Sequence, residues 1–278
     1  MGLGKQGEMK MRKLLRAAAI AAGLFAMSTI TAFAANGWVQ ENGQWVYYDR
    51  DSKVYNEWKT GADGSYYYLG GSGYMTVNDF VDDDRFVGAD GKMVTNAWRQ
   101  INSKWYYFDS NGRMTRERSR QIDGAWYYFD YDGAMQTGWV EEDDDYYYYD
   151  PSSGKMIANT WKQLLPPEEV YDDDNGGPQY TDGTYWFYFT SSGRACKAEG
   201  SGDYREMTIN GNRYCFDSYG RMMTGWVKVE DKSPVIAGYK YFNDSESIGT
   251  YGAAHVGWLS AYPPEDEEGF SSDVEWFY

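Results

Sequence analysis

One histidine, His255, and two cysteines, Cys196 and Cys215, are all this chain of 278 residues offers of those types. A lone imidazole excludes a histidine-based catalytic triad and a multi-histidine metal site within the chain. Basic residues are also few: 26 Lys and Arg stand against 42 Asp and Glu, a net charge of −16. Such a chain does not bind nucleic acid, whose affinity comes from phosphate neutralisation by Lys and Arg. It attracts cations and repels other polyanions. Aliphatic residues are sparse while aromatics make up 19%. The expected core is therefore Tyr, Trp, Phe and Met, not a Leu/Ile/Val interior.

What is present is a repeat. Its clearest copies run from Trp98 through Trp105-Tyr-Tyr-Phe-Asp-Ser-Asn-Gly112 to Met114, and from Gln121 through Trp126-Tyr-Tyr-Phe-Asp-Tyr-Asp-Gly133 to Met135. The glycines Gly91, Gly112, Gly133 and Gly154 are each 21 apart, and Trp38 and Trp58 are 20 apart. A fixed short period signals one small unit being stacked. Within a copy, Trp105–Phe108 reads as a strand, Asp109–Gly112 as a turn, and the residues through Met114 as a short second strand. Trp98–Lys104 reads as a polar link between hairpins. A single hairpin is marginal in water, so each unit buries its aromatic face on its neighbour. The fold class is thus all-β: a β-solenoid of about ten stacked hairpins of about 20 residues over 35–278, with no helix longer than two turns. The repeats leave no run of roughly 100 residues for a separate catalytic domain, so no enzyme activity and no cofactor are expected.

The first 34 residues stand apart. Lys10, Arg12, Lys13 and Arg16 precede an apolar run from Ala17 to Ala34 that ends Ala32-Phe33-Ala34. This is the pattern of a secretory signal peptide with an A-x-A cleavage site, the alternative being a membrane anchor. Its removal takes away five basic residues and one acid, moving the net charge from −16 to −20. The exported chain then has no membrane span, and a disulfide between Cys196 and Cys215 is permitted by compartment and left open by sequence. The acidic runs Asp82–Asp84, Asp143–Asp145 and Asp172–Asp174 match no EF-hand spacing and read as solvated linker faces. The proline-led acidic segments from Pro166 to Gly183 and from Pro263 to Val274 read as outer loops. The chain stops at Glu275-Trp276-Phe277-Tyr278, which reads as the opening of a hairpin in a last repeat cut from a longer protein.

The pairs Gly138-Trp139, Gly225-Trp226 and Gly257-Trp258, together with Trp105-Tyr106-Tyr107-Phe108-Asp109, make the chain resemble the cell-wall-binding (choline-binding) repeats of Gram-positive bacteria. These are related to glucan-binding repeats. The resemblance covers residues 37–278. It implies a left-handed β-solenoid, non-catalytic attachment to a cell-wall polymer, and a location at the cell surface. It also implies ligand cavities between successive repeats, lined by the leading Trp, the first hairpin aromatic, an aromatic of the next repeat and the Met after the turn. The chemistry stands on its own: a quaternary ammonium cannot hydrogen-bond and is held by aromatic faces and a soft thioether.

Three cages are candidates: Trp98, Trp105 and Trp126 with Met114; Trp38 and Trp45 with Trp58 or Tyr66; and Trp139 and Tyr146 with Trp161. Tyr107 and Tyr128 read as core. Asp84, Ser119, Arg213 and Cys215 fill slots where other copies carry rings, so their junctions are expected to lack a complete cage. Arg213 is further expected to weaken the site of Trp186. Aromatic platforms also stack on sugars, so choline on teichoic acid and a wall glycan both remain open as ligands. Two other readings fit: a targeting module for a hydrolase or glycosyltransferase domain beyond residue 278, and a glycan-binding surface adhesin.

Overall fold

The computed structural model describes residues 36–167, 183–199, 204–228, 239–247, 249–256, 259–261 and 275–277. The expected signal peptide, Asp172–Asp174, Gly257-Trp258 and most of the two proline-led loops lie outside them. All regular structure among the described residues is β, so no helix there is long and apolar enough to cross a membrane.

Among the described residues ten antiparallel hairpins follow one another. The first pairs Gly37–Glu41 with Gln44–Asp49, the second Glu57–Thr60 with Tyr66–Leu69, and the third Asp79–Val81 with Arg85–Val87. The fourth pairs Ala97–Ile101 with Lys104–Phe108, the fifth Arg118–Ile122 with Ala125–Phe129, and the sixth Gly138–Glu142 with Asp145–Tyr149. The seventh joins Thr160–Leu164 to Tyr185–Phe189, and the eighth joins Arg205–Ile209 to Asn212–Phe216. The ninth joins Gly225–Lys228 to Tyr239–Phe242, and the tenth joins Leu259–Ala261 to Glu275–Phe277. The residues form two compact units, one containing the first two hairpins with Ala89–Lys92, the other the hairpins from the third onward.

This register corrects the expected hairpin. The stretch before Trp105 is not a link but the first strand, with Trp98 opposite Tyr107 and Gln100 opposite Trp105. The chain reverses at Asn102-Ser103, both at positive φ (49° and 67°). Asn42-Gly43, Asp123-Gly124 and Asn210-Gly211 do the same. Two positive φ values at a two-residue tip define a type I′ turn, which suits the twist of a hairpin and favours Asn-Gly and Asp-Gly. Those dipeptides were visible in the sequence. The acidic runs are corrected in the same way: Asp143-Asp144 is the tip of the sixth hairpin, and Asp82–Asp84 is the tip of the third. Glu275–Phe277, expected to open a hairpin, is the return strand of one.

The turn after each return strand lays its next residue against that strand: Met114 bridges to Phe108, Met156 to Tyr149, Met222 to Phe216. The same residue also ties its hairpin to the previous one. Met75 N–H donates to the Trp45 carbonyl at 2.8 Å, Met114 to Asp84 at 2.6 Å, Met156 to Trp126 at 2.8 Å and Met222 to Trp186 at 2.8 Å. Return residues are counted from this acceptor, so that Trp105 is the first and Phe108 the fourth in the fourth hairpin; the first is the second residue of its strand at Trp45, Trp126 and Trp186 and lies just before the strand at Asp84. The Met side chain then lies over the turn glycine of the following hairpin. At Gly133, with φ of 80°, an added Cβ would fall 2.6 Å from the Met114 sulfur, so only glycine fits both the turn and the contact.

In the unit that begins with the third hairpin the core is built from the fourth return positions: Val87, Phe108, Phe129, Tyr149, Phe189, Phe216 and Phe242 are all fully buried. Leu69 is fully buried within the first unit. Aromatics dominate as expected. Tyr107 and Tyr128, expected there, are only half-buried; they sit one residue earlier, on the opposite face of the strand.

Candidate functional site: aromatic boxes between hairpins

Strand alternation decides what meets what between hairpins. The leading residue and the first and third return residues share one face, turned toward the next hairpin. The second and fourth return residues, on the other face, turn toward the previous one.

The fourth–fifth junction shows the consequence. Trp98 meets Trp105 edge-on with centroids at 6.5 Å and Tyr107 at 5.3 Å within its own hairpin. From the fifth hairpin come Tyr127, edge-on at 4.8 Å, and Phe129, stacked at 5.6 Å. Trp105 forms the rim and is 42% exposed. The guanidinium of Arg120 lies 5.3 Å from the Tyr107 ring and donates to Thr115 Oγ1 at 3.0 Å.

Two members of the expected cage are thereby corrected. Trp126 is not the wall from the next repeat; as a first return residue it faces the sixth hairpin, and Tyr127 and Phe129 take that role. Met114 is buried in the core with Phe86, Val94, Tyr106 and Phe108.

The same construction recurs. Trp161 meets Tyr188 at 5.1 Å, Tyr214 at 4.8 Å and Phe216 at 5.7 Å, with Trp186 on the exposed rim. All of its rings are in place, and Arg213, a first return residue, turns toward the ninth hairpin and is not part of this box. Trp139 meets Tyr146 at 6.2 Å, Tyr148 at 5.3 Å, Phe187 at 4.8 Å and Phe189 at 5.6 Å, so Phe187 and Phe189 stand where Trp161 was expected. In the first unit Trp38 meets Tyr47 and Tyr67, both at 5.4 Å, and its indole N–H donates to the Thr60 carbonyl at 3.2 Å. Trp45 is half-buried on the same face as Trp38. Tyr67 thus replaces the expected Trp58 or Tyr66; Trp58 meets Tyr68 of its own hairpin, and Tyr66 is half-exposed.

Three junctions depart from this plan. Between the third and fourth hairpins Phe80 takes the leading place and meets Phe86, Tyr106 and Phe108, while Asp84 takes the rim position and faces Arg113 at 3.7 Å. Between the fifth and sixth, Ser119 replaces the leading ring. Its hydroxyl donates to Glu142 at 2.9 Å and shares a 2.8 Å bond with the Tyr149 hydroxyl. Burial pushes Tyr149 up to about 12. Between the eighth and ninth, Glu206 replaces the leading ring and contacts Lys240 at 2.5 Å and Arg213 at 3.4 Å. Beside it Cys215 is fully buried, 3.8 Å from the Met223 sulfur. The disulfide left open by the sequence is not formed: Cys196 and Cys215 are free and lie in separate core clusters. His255 hydrogen-bonds Asn243 at 2.8 Å. No three His, Cys, Asp or Glu side chains among the described residues converge to hold a metal.

Comparison with known families resolves this architecture. A choline-binding repeat model matches residues 119–161, a second matches 52–92, and a putative cell wall binding repeat model matches 36–48 and 96–114. Over these residues the chain carries choline-binding, cell-wall-binding repeats. Similar solved structures include choline binding protein F from Streptococcus pneumoniae, at 27% identity over 68% of this chain and 57% of that one, with a TM-score of 0.47. The choline-binding domain of CbpL from the same organism is 29% identical over 69% of this chain and 89% of that one, with a TM-score of 0.48. The match thus spans little more than half the length of choline binding protein F. No curated protein matches by sequence.

Proposed function

We propose that this choline-binding repeat chain is a secreted, non-catalytic module that attaches to the bacterial cell wall, its hairpins stacked as a β-solenoid. Attachment runs through aromatic boxes at the first–second, fourth–fifth and seventh–eighth junctions. The observation that carries the reading is Trp98, boxed by Trp105, Tyr107, Tyr127 and Phe129 with an exposed indole at the rim. Convergent ring faces attract a cation that offers no hydrogen bonds, and choline has that chemistry. The acidic charge of the chain adds long-range attraction for it. The repeating N–H to carbonyl ties between neighbouring hairpins support the solenoid. Several weak sites on one polymer-binding chain raise avidity, because a polymer held at one box meets the next at high local concentration.

One observation favours a glycan as a second ligand. At the fifth–sixth junction Trp126 is 42% exposed on the same face as Ser119 and its Glu142 partner. A flat ring beside a hydroxyl and a carboxylate suits a sugar better than a quaternary ammonium.

The test is retention on a diethylaminoethyl resin with elution by free choline, at a salt concentration that alone leaves the protein bound. Sedimentation with Gram-positive walls, without clearing them, is the expected companion result. Choline-insensitive wall binding moves the ligand to a glycan, and wall lysis overturns the non-catalytic role.

A further inference from the structure

The box between the sixth and seventh hairpins differs from the open ones at its rim; the fourth–fifth and first–second boxes also carry a cation, but on the third return ring, Arg120 over Tyr107 and Lys59 over Tyr47. Trp139, Tyr148, Phe187 and Phe189 are in place, at separations matching those around Trp98 and Trp161. Its rim ring is not exposed. Tyr146 is 8% exposed, whereas the equivalent Trp105 and Trp186 are 42% and 36% exposed. One side of Tyr146 packs into the core cluster with Tyr185, Phe187, Phe189 and Ala195, and a half-buried lysine lies over its ring, with Lys197 Nζ 4.8 Å from the ring centre. The same ammonium donates to the main-chain carbonyl of Asp144 at the tip of the sixth hairpin.

Lys197 is two residues past Ala195, which bridges to Phe189 at the close of the seventh hairpin's turn. By the same register the hairpins closing the fourth–fifth and seventh–eighth boxes carry Thr137 and Thr224 there. Neither threonine has the length to reach a rim ring or carries a charge to place on it.

We propose that the sixth–seventh junction is a complete quaternary-ammonium site held shut by the chain's own Lys197, which acts as a tethered competitor for the Tyr146 face. The proposal rests on the cation-binding reading above. An ammonium over a ring face satisfies the quadrupole that would attract a ligand cation, and it repels a second cation at that place. Tethering holds it at high effective concentration, so free ligand at ordinary concentrations does not displace it. The Asp144 carbonyl fixes the side chain in the closing position and takes up one of its donors. The closed junction sits between two that differ from each other, the open seventh–eighth box and the polar fifth–sixth one. Lys197 therefore sets how many adjacent boxes one wall polymer engages.

The experiment titrates choline into the full chain and into Lys197→Ala and Lys197→Gln by calorimetry, reading the number of sites. The expected result is one additional site in both variants, abolished when Trp139→Ala is added, with the original sites unchanged. Lys197→Gln keeps the stem length, so it serves if the alanine variant fails to fold. Equal stoichiometry in wild type and variants, with wild type still binding choline, overturns this inference and leaves the general reading intact. A variant that binds choline where wild type binds none supports the closed site while removing the open ones. No binding by any of the three proteins overturns both.

Discussion

The fourth–fifth and eighth–ninth junctions are built on the same backbone and filled with opposite chemistry. Both put a leading residue opposite the third return residue, Trp98 opposite Tyr107 and Glu206 opposite Cys215. Both receive the fully buried fourth residue of the following hairpin, Phe129 in one and Phe242 in the other, and at the eighth–ninth junction Ala254 N–H also ties to the Arg213 carbonyl at 2.7 Å. Yet one is a box of rings with an exposed rim, and the other is an ion cluster of Glu206, Arg213 and Lys240. The stack therefore does not need the box. Stacking is secured by the main-chain ties and the buried column, which frees the face around the leading residue to vary. A repeat can lose its ligand chemistry while keeping its place in the structure.

Replacing Trp98 is the largest way to break the contrast. Its ring touches four others, two of them on the next hairpin. Trp98→Ala is expected to cost on the order of 3 kcal/mol of stability and to remove the site, read by urea unfolding and choline titration. Glu206→Gln comes next. It leaves Lys240 and Arg213 without their shared carboxylate in a partly buried setting, at a cost of about 1–2 kcal/mol. Choline stoichiometry should not change; a change would place a ligand at the ion cluster and undo the comparison. Trp105→Ala separates ligand from fold. Its ring is 42% exposed, so stability should shift by less than about 1 kcal/mol while choline affinity falls by roughly 1–2 kcal/mol. Trp186→Ala should behave alike, because its box is complete.

Much of the architecture was legible in the sequence: the period, the all-β class and the aromatic core. What escaped was the face each residue turns. Taking Trp98–Lys104 as a link hid the first strand, although Asn42-Gly43 and Asp123-Gly124 mark hairpin tips by themselves. Without that strand the alternation has no phase, and nothing separates Trp126 from Tyr127 and Phe129 as the wall of the box. The same gap assigns Arg213 to the wrong junction. Ser119 was legible as a lost ring, but its partner was not. Glu142 holds the place taken by Ile122 in the fifth hairpin, and only the folded register brings its carboxylate to the Ser119 hydroxyl. Lys197 was silent for a similar reason, since nothing local ties a residue past one turn to a ring 51 positions earlier.

The smallest expected effect at neutral pH concerns the thiols, and it sharpens the comparison because Cys215 stands where the open box has Tyr107. Burial pushes Cys196 up to about 11 and Cys215 up to about 12, from an ordinary thiol value of about 8.5. For Cys215 the nearby Glu206 carboxylate pushes the same way. The thiolate is the reactive form, so native protein at pH 8 should react with a disulfide reagent far more slowly than denatured protein, with Cys215 the slower of the two. The sign for stability follows from linkage. These groups hold their protons more tightly when folded, so their contribution is fully present below the unfolded value near 8.5 and is lost as pH rises from there toward 11 and 12. Glu206→Gln removes one source of the Cys215 shift and should bring its native reaction rate closer to that of Cys196. Rapid native modification of both thiols at pH 8, at the unfolded rate, would show that the polar junction opens to solvent and that its backbone ties do not hold without rings.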